Sequence, residues 1–247
     1  MTGMQTTQIE GAEAGYRSAL ALHRERLTSG WRPLGRKIGF TNRGIWPRYG
    51  VFQPIFGFVY DRTVTLAPGN QATISLAGLA QPRIEPEVCF GLKGPPPRSK
   101  DPAEILSAIQ WVAHSIEIVQ CTFPNWQIKV GDSAAANGLH GALVVGSKLP
   151  VAGIPDLAGK LPAIKVALKK GRTLIDQGIG SNVLDSPLLA LAHLVELLAS
   201  LPDFPTLAAG EIISTGTMTD AAPVAPGETW STEFKGGELP GMTVRFG

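Results

Sequence analysis

Glycine and proline set the terms on which this chain can fold. The 247 residues include 29 glycines and 20 prolines, about a fifth of all positions, against a usual share of roughly 12%. Both residues break helices and mark turns. A chain punctuated this often suits many short strands better than long helices. Between the turn residues lie apolar runs of strand length, RKIGFT, PIFGFVYD, QATISLAG and PRIEPEVCFGL. At roughly 150 residues per domain the length predicts one large domain or two small ones. No internal repeat or linker divides it, so one structural domain is expected, with a helical N-terminal extension over 1–30 and a body over 31–247.

Three helices are readable. Ile9, Tyr16, Leu20 and Leu27 recur at helical spacing within 8–29. Asp101 as N-cap, Pro102 at N1 and Glu104 at N3 start a second helix ahead of Ile105, Ile109, Val112 and Ile116. Its end is blurred, because HSIEIVQC alternates like a strand. Residues 187–201 form the third. AIKVAL and RTLIDQ flank Lys-Lys-Gly as a hairpin, and EIISTGTM and GMTVRFG are late strands. The stiff polar segment 93–100, KGPPPRSK, is a candidate active-site rim or lid. The fold class expected is α+β with a mixed, mostly antiparallel sheet.

Charge and cysteine usage narrow the function. With 22 basic and 20 acidic residues, a net charge of +2 and no basic run, nothing points to nucleic acid. Cys89 and Cys121 have no CxxC spacing, which argues against a zinc site or a disulfide scaffold. No basic, then apolar, N-terminal pattern marks a signal peptide. The apolar stretch 188–201 is broken by His193 and Glu196 and is shorter than the ~20 residues of a membrane span. A cytoplasmic protein acting on a small molecule, with no membrane partner, is expected. Phosphate-loop, dinucleotide, HExxH and GxSxG motifs are missing. Gly131-Asp132-Ser133 is too short a match to an esterase signature to outweigh an ordinary turn.

The chemistry concentrates in Arg83-Ile84-Glu85-Pro86-Glu87-Val88-Cys89-Phe90. With a strand period of two, Glu85 and Glu87 share one face while Ile84, Val88 and Phe90 share the other. Two carboxylates about 7 Å apart on a half-buried strand repel unless a cation lies between them. A hard divalent ion such as Mg²⁺ would relieve that repulsion. The competing reading is a solvent-facing edge strand, which Pro86 would suit. Glu117, set among the β-branched residues of Ser115-Ile116-Glu117-Ile118-Val119, supplies a third acid. Its own alternative is a surface position on the last turn of the second helix.

Longer segments carry a resemblance. Gly35-Arg36-Lys37-Ile38-Gly39-Phe40-Thr41, Gln81-Pro82-Arg83-Ile84-Glu85-Pro86-Glu87, Ile116-Glu117-Ile118-Val119, Leu184-Asp185-Ser186-Pro187-Leu188 and Ser214-Thr215-Gly216, with Pro226-Gly227-Glu228 and Val244-Arg245-Phe246, resemble the 2-keto-4-pentenoate hydratase and 4-oxalocrotonate decarboxylase branch of the fumarylacetoacetate hydrolase superfamily. The order holds from about residue 16 to the C-terminus. The resemblance implies a β-roll or distorted-barrel core with flanking helices, and Mg²⁺ or Mn²⁺ held by Glu85, Glu87 and Glu117. It also implies an essential Lys37, a substrate-carboxylate contact at Thr215-Gly216, and a homo-oligomer. The implied activity is a lyase on short 2-oxo or 2-hydroxydienoic acids in aromatic-compound catabolism. Hydration of 2-hydroxypenta-2,4-dienoate to 4-hydroxy-2-oxopentanoate leads, and decarboxylation of 4-oxalocrotonate is the alternative. A C–C bond hydrolase and a non-catalytic binding or assembly relative also remain.

Departures from the family pattern raise further candidates. Where the family commonly reads Ala-Asp-Asn-Ala-Ser, this chain reads Ala135-Ala136-Asn137-Gly138-Leu139, with His140 as the adjacent ionisable group. After Glu117, Gln120-Cys121-Thr122 stands in place of Asp-Ser-Arg. Gln53-Pro54 is followed by Ile55-Phe56-Gly57, with no acid, in the manner of the decarboxylases, and Gln53 joins the substrate-binding candidates. Burial in the strand KIGF would lower the pKa of Lys37 and suit it to proton transfer; the alternative is a snorkelling surface lysine. Arg43 and Arg48 could meet a distal substrate carboxylate. Arg83 is either a counter-charge to the acids or a plain surface arginine. Trp126 and Phe123 are read as pocket wall or core.

Overall fold

Strands dominate, as the turn density requires. The structure, a computed structural model, describes Ile9 and residues 11–247, and the side chains of Ile45, Arg48 and Tyr49 lie outside the described part. The larger sheet runs β2 (Ile55–Tyr60), β1 (Pro33–Gly39), β11 (Ile212–Thr217), β5 (Arg83–Leu92), β6 (Ile109–Val119), β7 (His140–Val145) and β3 (Val64–Leu66). Two short strands join it, β12 (Ala222–Pro223) on β5 and β8 (Leu149–Pro150) on β6. The smaller sheet runs β10 (Thr173–Ile179), β9 (Lys165–Lys170), β13 (Thr229–Lys235), β14 (Thr243–Phe246) and β4 (Gln71–Ile74). Pairing is antiparallel except for β1 with β11, β3 with β7, and β14 with β4. The expected mixed, mostly antiparallel core is therefore present.

Among the described residues six helices flank the sheets: α1 (Ala12–Thr28), α2 (Trp46–Tyr49), α3 (Pro102–Leu106), α4 (Val130–Ala135), α5 (Leu157–Lys160) and α6 (Pro187–Ala199). Within the 1–30 segment, residues 1–8 and 10 lie outside the described residues. Tyr16 of α1 stacks on Phe56 of β2 with ring centroids 4.9 Å apart, tying this helix into the main core. α6 starts on a Ser186 cap with Pro187 at its first position. The stretch Gly180–Ala199 has the length and mean hydropathy of a membrane span. Here α6 spends that apolarity on the core, burying Leu188, Leu191, Leu194 and Leu198, each worth about 1.5–3 kcal/mol when removed from water.

A second apolar layer, with Ile84, Ile116, Leu168, Trp230 and Phe246, fills the space between the two sheets. The larger sheet curls so far that β2 and β7, from distant places in its order, come back into contact. No ladder joins them. Asn137 closes the gap, accepting from Phe58 N (2.7 Å) through Oδ1 and donating to Phe58 O (2.8 Å) through Nδ2. Gly57 makes the approach possible, because a Cβ there would stand 2.0 Å from the Asn137 carbonyl oxygen.

Two sequence expectations need correction, and the competing reading of β5 falls. The second helix ends at Leu106, and Ile109, Val112 and Ile116 belong to strand β6. That strand is buried on both faces, so its apolar residues mimic a helical period instead of alternating. The segment 93–100 follows Leu92 and so leaves β5 at the end away from Glu85, roughly 24 Å along the strand. There Arg98 pairs with Glu196 of α6 at 2.8 Å, and the segment does not rim the acids. Finally, β5 is central, not an edge. Pro86, which has no N–H to offer, falls where β11 has ended its pairing at Glu87 and β12 begins at Ile84.

Candidate active site

The inside of the curl collects the acids. Glu85 on β5 sits directly opposite Glu117 on β6, a like-charge cross-strand pair that is unfavourable by itself. Glu87, one strand period further on, lies on the same face. Ligand oxygens of Glu85, Glu87 and Glu117 all lie within 4.8 Å of one another, close enough for one ion to touch all three. Glu87 and Glu117 are fully buried. A cluster of Val59, Cys89, Ala113, Leu143, Val145 and Ile212 lies beyond them.

Lys37 reaches this cluster from β1. Its Nζ stands 3.0 Å from Glu117 Oε2 and donates to the Gly138 carbonyl at 2.9 Å. His140, at the start of β7, approaches Glu117 Oε1 with Nδ1 at 2.8 Å, while its Nε2 lies 2.9 Å from Thr63 Oγ1. Glu87 Oε2 accepts from Ser214 Oγ (2.6 Å) and Gly216 N (3.0 Å). Its other oxygen, Oε1, is buried with no hydrogen-bond partner among the described residues. His114 fixes the strand from behind, its Nδ1 2.9 Å from Glu87 O and its Nε2 2.8 Å from Thr232 Oγ1.

Burial and charge act together on these groups. Desolvation is the largest influence on Glu85 and raises its pKa to about 7, with Lys37 and Arg83 opposing and Glu117 reinforcing. Desolvation, then Glu117 and Glu85, push Glu87 well above the carboxylate range. Desolvation also works to raise Glu117, but Lys37 and the His140 hydrogen bond outweigh it and hold this carboxyl below its ordinary value. For Lys37, burial pulls downward, and Glu117, followed by Glu85 and Glu87, overrides it. The lowered lysine pKa expected from the sequence is thus corrected to a raised one. Fully ionised, three carboxylates against one ammonium would leave two negative charges in a desolvated space, an excess that the raised pKa values of Glu85 and Glu87 relieve by protonation in the metal-free protein. An orphaned carboxylate oxygen, an all-oxygen donor set and that charge excess together fit a hard divalent cation.

Beside the acids opens a cleft of about 200 Å³. Lys37 and Glu85 lie on its inner side. Phe40, Ile55, Val119, Trp126 and Leu139 give it apolar walls, and Thr41, Asn42, Thr217, Thr219 and Asp220 give it polar ones. Arg83 also lines it, with its guanidinium 4.4 Å from the Trp126 ring centroid.

The structure thus brings Lys37, Glu85, Glu87, Glu117 and His140 together. His140 stands behind Glu117 with both ring nitrogens engaged, and it is not among the residues lining the cleft. Thr215 donates to Val88 O at 2.9 Å, and Gly216 donates to Glu87, so both serve the sheet and its acid rather than the cleft. Arg43 pairs with Asp185 at 2.6 Å and is half-exposed, and Gln53 is exposed; neither lines the cleft. The side chain of Arg48 lies outside the described residues. Ser133 of the Gly-Asp-Ser segment is buried in α4 and bonds Lys129 O. Sequence reasoning missed Thr41, Asn42, Thr217 and Thr219. A bulge explains the last two. From Ser214 opposite Cys89 to Thr217 opposite Glu87, β11 spends one residue more than β5, with Gly216 at φ 104°. The extra residue turns Thr217 into the cleft. The Thr-Gly-Thr-Met-Thr run was the available signal.

Comparison with known proteins follows the same lines. The chain is 33% identical over 228 residues to 2-hydroxyhexa-2,4-dienoate hydratase of Comamonas testosteroni, across 91% of this chain and 83% of that protein. It is 27% identical over 229 residues to 4-oxalocrotonate decarboxylase of Pseudomonas sp. strain CF600, across 91% and 81%. Among solved structures, 4-oxalocrotonate decarboxylase from Pseudomonas putida G7, complexed with magnesium and adipate, matches with a TM-score of 0.84 at 25% identity, covering 94% of this chain and 84% of that one. Fumarylpyruvate hydrolase from Pseudomonas aeruginosa, in complex with Mn²⁺ and pyruvate, shares the fold at a TM-score of 0.64 and 14% identity, over 85% of this chain and 88% of its own. No family profile matches the chain.

Proposed function

This chain belongs to the family of 2-keto-4-pentenoate hydratases and 4-oxalocrotonate decarboxylases, in the fumarylacetoacetate hydrolase superfamily, and on that premise we propose that it is a divalent-metal-dependent lyase that hydrates 2-hydroxypenta-2,4-dienoate to 4-hydroxy-2-oxopentanoate. The observation that carries the reading is the convergence of three carboxylates, two of them fully buried, and one lysine beside a small, half-apolar cleft. Glu85, Glu87 and Glu117 would hold Mg²⁺ or Mn²⁺. When bound, the cation supplies a Lewis acid that polarises the C2 oxygen of a 2-oxo acid.

The chain's own residues divide the remaining work. Lys37, kept protonated by its acidic neighbours, is placed to deliver a proton from Nζ to the substrate carbon skeleton. His140 orients Glu117, since an ionised carboxylate can only accept and Nδ1 must donate. Phe40, Ile55, Val119 and Leu139 keep bulk water off the reacting chain, while Thr41, Asn42, Thr217 and Thr219 offer polar contacts to the substrate or to one added water. A second reading, decarboxylation of 4-oxalocrotonate, is favoured by the cationic Arg83 on the cleft wall. The test is a spectrophotometric assay of both substrates, with and without Mg²⁺, with the products identified. Mg²⁺-dependent formation of 4-hydroxy-2-oxopentanoate supports the proposal, and turnover of neither substrate overturns it.

A further inference from the structure

A carboxylate carries two oxygens, and what each already touches decides whether it can grip an ion with one or with both. Glu87 is divided in this respect. Its Oε2 accepts from Ser214 Oγ at 2.6 Å and from Gly216 N at 3.0 Å, while its Oε1 is buried with no hydrogen-bond partner among the described residues. Glu117 is divided too, with Oε1 facing His140 Nδ1 at 2.8 Å and Oε2 facing Lys37 Nζ at 3.0 Å.

The hold on Glu87 comes from both neighbouring strands. Ser115 stands directly opposite Glu87 on β6, and Ser214 stands opposite Cys89 on β11. The two hydroxyl oxygens are 3.0 Å apart. A hydroxyl has one proton to give. Ser214 gives its own to Glu87, so Ser115 donates to Ser214. Both serines are fully buried, where an apolar residue of similar size would avoid the cost of desolvating a hydroxyl. What the pair does there is to engage Oε2 and leave Oε1 as the oxygen free to ligate.

Divalent cations differ in what they ask of a carboxylate. Mg²⁺ takes oxygens at about 2.0–2.1 Å in a near-octahedral array, whereas Ca²⁺ takes about six to eight at roughly 2.3–2.6 Å and often draws both oxygens of one carboxylate. A glutamate whose second oxygen is held by two donors suits the smaller ion and frustrates the larger.

We propose that Ser214, backed by Ser115, is a positioning residue that confines Glu87 to ligation through one oxygen and so tilts the acid cluster toward Mg²⁺ and against Ca²⁺. This rests on the cluster being the metal site. The simpler alternative is that the two serines only satisfy each other's buried hydroxyls, in which case removing one shifts the affinities for both ions by the same factor.

Isothermal titration calorimetry of the full chain with Mg²⁺ and with Ca²⁺, in the absence of substrate, separates these cases without a turnover assay. The wild type is expected to bind Mg²⁺ the more tightly. Ser214→Ala frees Oε2 from its shorter bond and is expected to weaken Mg²⁺ binding by about tenfold, as for loss of a group that orients a ligand. Ca²⁺ affinity is expected to hold or rise, so that the ratio of the Kd for Ca²⁺ to the Kd for Mg²⁺ falls by about tenfold or more. Ser214→Thr, which keeps the hydroxyl, is expected to restore most of the wild-type ratio. Circular dichroism in EDTA checks the fold of each variant. An unchanged ratio in folded Ser214→Ala overturns the positioning role and leaves the proposed lyase function standing. Binding of neither ion by the wild type overturns the metal site and the proposal with it. Where Ser214→Ala fails to fold the wild type decides, since Ca²⁺ bound as tightly as Mg²⁺ or more so overturns the tilt.

Discussion

Replacing Glu87 by glutamine is expected to stabilise the metal-free protein and weaken its response to metal. The two effects have opposite sign and one cause. Glu87 is fully buried, its Oε1 has no partner, and its pKa is pushed well above 4.5 by desolvation and by Glu117 and Glu85. Keeping a carboxyl protonated at pH 7 costs folding about 1.4 kcal/mol per pH unit above its unfolded pKa, a ceiling of about 3.5 kcal/mol here. Glutamine keeps an oxygen for Ser214 Oγ and Gly216 N and carries no charge. In EDTA at pH 7, Glu87→Gln is therefore expected to gain about 1–3 kcal/mol, or several degrees in Tm at roughly 2–4 °C per kcal/mol. Because the native pKa is raised, the gain should fade as pH drops toward 4.5. With Mg²⁺ the order reverses. The wild type gains about 2.7 kcal/mol at a hundredfold excess over Kd, whereas the variant has lost a ligand and a charge. Thermal unfolding in EDTA and across a Mg²⁺ titration reads both limbs. A variant that is less stable without metal, or that responds to Mg²⁺ with wild-type affinity, would refute the reasoning.

Four further outcomes follow from the same geometry. Lys37→Met should lower turnover by about 10²-fold or more while circular dichroism remains native, and near-wild-type rates would return Lys37 to a structural role. His140→Ala should weaken Mg²⁺ binding by about 10–100-fold, with His140→Asn restoring part of it; unchanged calorimetric affinity counts against the orienting role. Gly57→Ala forces a Cβ against the Asn137 carbonyl and should cost about 1–3 kcal/mol, visible as a lower Tm. His23 has its pKa lowered to about 4 by burial, then by Arg36, Arg26 and Arg24. The unfolded chain thus binds the extra proton between pH 6.5 and 4, and the wild type should lose stability relative to His23→Gln across that window as pH falls, by up to about 1.4 kcal/mol per pH unit; a constant difference in urea unfolding would exclude this.

The parts of the site legible in the sequence were those governed by short-range rules. Strand period alone put Glu85 and Glu87 on one face, and their apolar neighbours announced that the face is buried. The Ser186-Pro187 start of α6 and the hairpin at Gly171 were equally local. What could not be read depends on the third dimension. β6 looked helical because both its faces are covered. β13 hides its alternation in TWSTEFK, where polar residues occupy most positions. The bulge at Gly216 moved the cleft contact from Thr215 to Thr217, and no periodic rule counts an inserted residue. The lysine pKa came out on the wrong side because the sequence shows the burial of Lys37 but not the three carboxylates folded around it.

The Asn137 amide that joins β2 to β7 gives the barrel a clasp where a ladder would have given it a weld. A ladder opens only by breaking a row of bonds in concert, whereas this seam has two bonds from one side chain, backed by Leu143 N donating to Thr63 O just beyond β2. The clasp also lies next to the business end of the molecule, for the following residue, Gly138, supplies the carbonyl that holds Lys37. Loosening the seam would therefore slacken the grip on the lysine at the same stroke, linking the bore of the half-barrel to the aim of Lys37 Nζ.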